Sequence, residues 1–485
     1  MCDALGQPLQ PEVNEYPTII QGGMGAGVSS WRLARAVSNL GQLGVVSGTA
    51  LDQIFVRRLQ DGDPGGHMRH ALDHCVFAGM AERLWESYFI PGGKPARTPY
   101  QTPPLLAKNP PREFTERCIV ANFVEVFLAR QGHNYIVGIN YLEKMQIPHL
   151  PSIYGAMLAG VGVVLMGAGV PLKIPGVLDR LAHHDLATYT LSVTGAQDGD
   201  DTTMKFDPHE WMECELPSLS RPKFFAIIAS NTLADTMCKR ANGKVDGFVI
   251  ERPSAGGHNA PPRGKLTLDD TGEPVYGERD NVDLAKMQKL GLPFWLAGGY
   301  GTAEGLREAL AAGAAGVQVG TAFAFCAESG LRDDYKRALL AKVVSGQARV
   351  FTDILASPAS FPFKVAQLEG SMSEQAVYAA RPRICDLGYL REAYRTADGD
   401  IDYRCPAEPV NLYVAKGGKQ ENTVGKKCLC NSLVATIGHP QVRKGNLIEQ
   451  GLVTSGDDLI GLARFLSSEG PNYSAADVVR ALLSK

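Results

Sequence analysis

Short apolar runs rich in β-branched residues recur along the chain between stretches of helical spacing. This is the alternation expected of parallel strands covered on both faces by helices. Eight runs fit: residues 18–21, 43–47, 136–140, 161–166, 224–229, 245–250, 293–297 and 317–320. Several run straight into glycine, and eight strands of this kind predict an α/β fold closed as a (β/α)8 TIM barrel rather than an open sheet. Compact connections are legible as helices. Residues 31–40 follow Ser29 and Ser30 as expected caps, with Leu33, Val37 and Leu40 on one face. Another helix starts at Thr302, with Leu306, Ala309 and Leu310 as its apolar stripe and Gly313 as the left-handed C-terminal cap.

Two connections, 49–135 and 171–222, exceed what a βα unit needs and must carry insertions with structure of their own. The first reads as helical. The second reads as a β-hairpin, with strands within 187–193 and 202–206 around the polar, glycine-bearing 195–201. Beyond about Leu331 the barrel pattern stops. The organisation expected is an N-terminal arm over 1–17, a barrel over 18–330 with insertions at 49–135, 171–222 and 259–280, and a C-terminal extension over 331–485. That extension reads as mixed and mainly helical, ending in a helix after the capping Ser474.

Composition narrows the partners. The chain has 485 residues, 45% hydrophobic and 20% charged, with a formal net charge of -3. That supports one large core with an appended region and offers no basic field for nucleic acid or an anionic membrane. The first residues lack the basic start and apolar stretch of an export signal, which favours a cytoplasmic, reduced setting for the ten cysteines. The uncharged stretch 153–172 has the length of a membrane span, yet its five glycines and terminal Val170-Pro171 suit a short helix, a turn and a buried strand.

Three glycine motifs carry the candidate chemistry. Gln21-Gly22-Gly23-Met24-Gly25 ends the first strand and lets bare backbone approach a planar ligand, although a tight βα turn would also require glycine. Ala297-Gly298-Gly299 and Gln318-Val319-Gly320-Thr321 fall at the mouths of strands seven and eight, where TIM barrels gather backbone N–H groups around a phosphate. A phosphate there points to FMN or a phosphorylated substrate. Ser254-Ala255-Gly256-Gly257-His258 places an imidazole at the end of strand six, positioned to move a proton near neutral pH; a histidine that merely hydrogen-bonds a loop is the alternative.

Together with Ile20-Gln21-Gly22-Gly23-Met24, these segments resemble the nitronate monooxygenase family, formerly 2-nitropropane dioxygenases, over roughly residues 18–325. Phe123-Val124-Glu125-Val126-Phe127, residues 258–264 and Cys385-Asp386-Leu387-Gly388-Tyr389 are similar to its long-tailed branch, which includes FMN-dependent enoyl reductases of polyketide and polyunsaturated fatty acid synthases. The resemblance implies that Gly22, Gly23 and Met24 line the isoalloxazine of FMN, with Asn140 at its polar edge. It also implies that Gly298, Gly299, Gly320 and Thr321 hold the phosphate, with Gly257 and Gln318 in the same cofactor site, and that His258 transfers the proton. In a nitronate monooxygenase, His258 would take the α-proton of a nitroalkane or hold the nitronate while flavin and oxygen perform the oxidation. In an enoyl reductase, NAD(P)H would reduce the flavin, which would pass hydride to an enoyl thioester on an acyl carrier protein. A third alternative is a non-catalytic flavin-binding subunit.

Departures from a simple nitronate monooxygenase are the insertion after strand two, the segment 259–280 and the tail. Pro261, Pro262, Arg263 and Lys265 would either shape the pocket for an acidic or carrier-bound substrate or form a solvated excursion. The partners expected are a small-molecule or carrier-bound acyl substrate and, as one option, a second copy of the chain. Cys385, Cys405, Cys428 and Cys430 supply four soft ligands for zinc or an iron-sulfur cluster, but they lack paired C-x-x-C spacing, and scattered packing thiols are the favoured reading. His67, His70 and His74 recur at helical spacing without a carboxylate or cysteine partner, so a polar helix face is the expected reading.

Overall fold

A computed structural model describes residues 16–466 and 472–484, so the arm expected over 1–17 lies almost wholly outside the described residues. All eight apolar runs are strands: β1 (Ile19–Gln21), β2 (Gly44–Ser47), β3 (Val137–Leu142), β4 (Val163–Gly167), β5 (Lys223–Ile228), β6 (Gly247–Glu251), β7 (Phe294–Ala297) and β8 (Gly316–Val319). They are all parallel, in the order β1-β8-β7-β6-β5-β4-β3-β2. The ring closes where Ile20 pairs with Leu43 and Gln21 N–H donates to Leu43 O at 2.9 Å. Gln21 reinforces this seam, because its Oε1 accepts from Val45 N at 3.0 Å. The fold is a TIM barrel.

Both faces of the strands are apolar because both are covered. Ile20, Leu43, Val45, Val163, Leu165, Phe225, Val249, Trp295 and Ala297 fill the barrel, while Ile19, Val46, Ile139, Val164, Phe224, Phe248, Leu296 and Val317 join the larger core around it. Trp295 is fully buried, stacks on Phe225 at 4.7 Å and donates its indole N–H to Pro17 O at 2.8 Å. Truncating it to alanine would cost about 3–5 kcal/mol.

The first insertion is helical, as expected: α2 (Leu51–Gln60), α3 (His67–Leu72), α4 (Ala78–Tyr88) and α5 (Arg112–Arg130) follow α1 (Trp31–Asn39). The caps differ from expectation at α1. Ser30 stands at the N-cap without a side-chain bond, and Ser29 Oγ turns back to Gly22 O at 2.8 Å. The donor at the α1 start, Trp31 N, goes instead to Glu125 Oε1 of α5 at 2.8 Å. A carboxylate there satisfies an orphan N–H and complements the helix dipole. Leu40 and Leu310 are exposed, contrary to the stripes drawn for them, because each sits at the end of its helix as the buried face turns away. Thr302 and Gly313 act as expected: the threonine accepts from Gly305 N and the glycine has φ 81°.

In the second insertion Ala187–Thr190 and Thr203–Phe206 form the antiparallel hairpin. Val193–Thr194 leaves it to pair in parallel with Glu392–Arg395 of the tail. The tail also holds more strand than expected. Val350–Asp353 pairs with Phe363–Ala366, and Glu392–Arg395 with Ile401–Arg404. It is pinned to the first insertion by buried polar contacts: Tyr389 Oη donates to Asp52 of α2, which also receives Arg117 Nε of α5 at 3.4 Å. The closing helix Ala475–Leu482 has the expected Ser474 cap, completed as a capping box with Asp477. The uncharged stretch 153–172 divides into the end of the helix His149–Leu158, a turn and β4, and no helix among the described residues is long and apolar enough to cross a membrane.

Candidate active site

At the C-terminal mouth of the barrel a cavity of about 200 Å³ collects the glycine loops. Gly22, Gly23, Met24, Asn140, Gly257, His258, Gly298, Gly299, Gln318, Gly320 and Thr321, the eleven residues singled out from sequence, all line it. The glycines are there for different reasons. A Cβ on Gly23 would sit 2.4 Å from Asn140 Cβ, so this glycine allows the β1 loop to close onto β3. Gly298 and Gly299 have φ of 87° and 83°, a conformation that side chains resist. Gly22 and Gly320 need neither explanation, because the nearest protein atoms to an added Cβ lie 3.6 and 3.5 Å away. Side chains there would fill the pocket rather than the protein.

The pocket also contains an orphan. Gln318 Oε1 is buried with no hydrogen-bond partner, an acceptor facing the site without a donor. A cradle of bare backbone and an unmatched amide oxygen suit a planar ring that presents an N–H, and the isoalloxazine of FMN has such an edge. The residues present therefore fit FMN.

His258 does not stand at the end of β6, as the sequence suggested. That strand ends at Glu251, and His258 belongs to the two-residue strand Gly257–His258, paired antiparallel with Phe363–Ala366 of the tail. Its ring lies 4.8 Å from Phe363 at 61°, and its Nε2 shares a hydrogen bond with Ser357 Oγ at 2.7 Å. Lys426 holds that serine in turn, donating Nζ to Ser357 O at 2.9 Å. Nδ1 has no partner among the described residues. Burial with no compensating carboxylate lowers the imidazole pKa to about 4, so the ring is neutral at physiological pH.

The tail lines the pocket as well, through Leu433, Thr436, residues 452–456 and Asp458. Gly456 N donates to Thr321 Oγ1 at 3.0 Å, and Asp457 N to Ser254 O at 3.0 Å. Gly456 and Gly256 meet closely: a Cβ on Gly256 would stand 2.8 Å from Gly456 N. Sequence reading missed this segment, together with Glu251, Ser357 and Lys426. The available signals were the glycine within Thr454-Ser455-Gly456-Asp457-Asp458 and the place of Glu251 two residues beyond the inward-facing Val249.

Other candidates lie elsewhere. Cys385, Cys405, Cys428 and Cys430 lie near enough to act on one another electrostatically, yet among the described residues no three His, Cys, Asp or Glu side chains are grouped to hold an ion. The thiols of Cys385 and Cys405 hydrogen-bond each other, and Cys428 Sγ accepts from Asn431 Nδ2 at 3.5 Å. His70 and His74 meet edge to face at 4.8 Å and His74 stacks on Phe127, an aromatic face. Arg263 is exposed and donates to Ala229 O at 2.7 Å, fastening 259–280 near the end of β5.

Residues 216–350 match the family model described as nitronate monooxygenase. This segment is nitronate monooxygenase-like. It contains β5 to β8 and with them Glu251, His258 and the glycine loops of β7 and β8. A nitronate monooxygenase of Paraburkholderia phytofirmans is 30% identical over 181 residues, covering 36% of this chain and 46% of that protein, so the chain spans about half the length of this curated relative. Among solved structures, a nitroalkane oxidase from Streptomyces ansochromogenes is similar at 15% identity and TM-score 0.45, covering 96% of this chain and 94% of that one. FabK from Thermotoga maritima is similar at 16% identity and TM-score 0.45, covering 97% and 92%.

Proposed function

We propose that the protein is an FMN-dependent oxidoreductase of the nitronate monooxygenase type, oxidising a nitroalkane or its nitronate with O2. The observation that carries this reading is the imidazole of His258 at a pocket of bare glycine backbone, its Nε2 held by Ser357 and its Nδ1 unpartnered among the described residues. The acidic α-proton of a nitroalkane needs a base that is unprotonated at working pH; burial keeps the His258 ring in that form while weakening it as a base, so its placement against the substrate carries the proton transfer. Ser357 fixes the ring through Nε2, and Lys426 fixes Ser357. Gly22, Gly23 and Met24 would face the ring of FMN, Asn140 and Gln318 its polar edge, and Gly298, Gly299, Gly320 and Thr321 its phosphate. When bound, FMN supplies the electron acceptor that none of these side chains can be.

A second reading is NAD(P)H-dependent reduction of an enoyl thioester. It draws on a second cavity of about 730 Å³ bordered by Pro358, Ala359 and Ser360, next to the serine that holds His258, with Lys144, Arg391 and Lys426 on its wall. A long acyl chain with an anionic carrier arm has room and cations there. Anaerobic stopped-flow absorbance separates the readings. Bleaching of the flavin by propyl nitronate but not by NADPH, with O2 uptake when air is admitted, supports nitronate oxidation. Bleaching by NADPH with reoxidation by an enoyl thioester supports the reductase, and turnover of neither leaves a binding subunit.

A further inference from the structure

One carboxyl at the mouth of the barrel has no structural task. Glu251 closes β6, two residues beyond Val249, whose side chain belongs to the barrel interior, so strand alternation turns Glu251 inward too. It lines the same pocket as His258. No hydrogen bond or ion pair holds it among the described residues, although it is only partly exposed. A half-buried carboxyl without a donor is costly to keep ionised, and a fold gains nothing by placing one at the centre of a pocket.

The register adds a second observation. Glu251 pairs with Ala297, and Ala297 pairs with Gln318, so the two polar side chains flank a small apolar residue in one row across β6, β7 and β8. Their Cα atoms are separated by two strand spacings, about 10 Å. Gln318 brings an acceptor without a donor, and Glu251 brings a carboxyl without a partner. A protonated acid beside an amide oxygen forms a donor-acceptor pair. It is complementary to a ring edge that offers an acceptor next to an N–H.

We propose that Glu251 is a positioning acid of this pocket, held protonated and donating a hydrogen bond to an acceptor on the polar edge of the bound ring while Gln318 Oε1 accepts from the adjacent N–H. The inference rests on the flavin reading for the identity of the ring. The charged and titratable groups around Glu251 do not neutralise it. Arg252, its neighbour in sequence, directs Nη1 to Tyr300 Oη at 3.3 Å; His258 is neutral; Asp458 of the tail is tied to Arg464 at 2.6 Å; and the β5 side offers Ile227. Burial alone pushes the Glu251 carboxyl up to about 7. As a donor it would stabilise the electron-rich reduced ring, and ionised it would oppose reduction.

Infrared difference spectroscopy of the purified protein, titrated from pH 5 to 9, tests the protonation directly. The expected result is a protonated-carboxyl carbonyl band that disappears near pH 7 and is absent from Glu251→Gln. On the same samples, the flavin reduction potential plotted against pH should show an inflection near pH 7 that the glutamine variant loses. A band that persists in Glu251→Gln, or potential curves that coincide, would overturn the inference. A protein that takes up no FMN but shows the band would refute the flavin reading and leave the acid in place. FMN binding without the band would do the reverse.

Discussion

Replacing Glu251 by glutamine should stabilise the protein at alkaline pH and leave it unchanged in acid. The carboxyl has an ordinary value of 4.5 in the unfolded chain and about 7 in the fold, the cause being burial. Between those values the folded state binds more protons than the unfolded state, so stability falls as pH rises through the window, and the loss is complete above about pH 7. At about 1.4 kcal/mol per pKa unit the full loss is ~3 kcal/mol; water entering through the open mouth reduces the expectation to ~2 kcal/mol. Glutamine keeps the shape and cannot ionise. Urea unfolding monitored by circular dichroism at pH 4.5 and pH 8.5 reads the difference as a change in midpoint at constant slope. A gain of ~2 kcal/mol at pH 8.5 with none at pH 4.5 is expected. Equal effects at the two pH values, or a loss at pH 8.5, would refute the argument that this carboxyl is buried without a partner. His258 behaves in the opposite sense, since its lowered pKa destabilises the fold as pH drops below 6.5 towards 4. The two groups offset each other in the intact protein, which is why single variants are needed to see either.

Three further outcomes follow from the same geometry. His258→Ala should retain bound flavin, whose contacts come from other loops, while lowering kcat by about 10²–10⁴-fold in steady-state assays; full turnover would remove its proton-transfer role. Gly320→Asp fills the pocket side of its loop with a carboxylate, and flavin content after purification should fall to near zero by absorbance. Tyr389→Phe leaves Asp52 short of a donor in a buried site and should cost ~1–3 kcal/mol in urea unfolding, with no effect on flavin content.

The barrel was legible because each strand is buried on two faces and so appears as an unbroken apolar run, and because its mouth is built from glycine motifs local in sequence. What escaped is non-local. The cap of α1 comes from Glu125, 94 residues on, and the partner of His258 is Ser357, 99 residues on. The strands Val350–Asp353 and Phe363–Ala366 are four residues each and take their identity from pairing, so the tail read as helix and loop. The extension looked like an appendage, yet Gly456 closes on Thr321 and Gly256 and gives the pocket its roof. Glu251 falls one residue beyond the apolar run 245–250 and closes the strand formed there, where alternation alone marks it as inward-facing. The four tail cysteines are spread over 385–430 in sequence, and the fold brings them near one another without a set of three placed to hold an ion among the described residues.

The measurement that bears most directly on the account is the absorbance spectrum of the purified, anaerobically handled protein, with iron and acid-labile sulfide assayed on the same sample. The account predicts a flavin spectrum, FMN released on denaturation in a ratio near one per chain, and no iron. Protein that carries no flavin and takes up none when FMN is added would contradict the reading of the glycine cradle, and iron with sulfide would contradict the reading of the tail thiols.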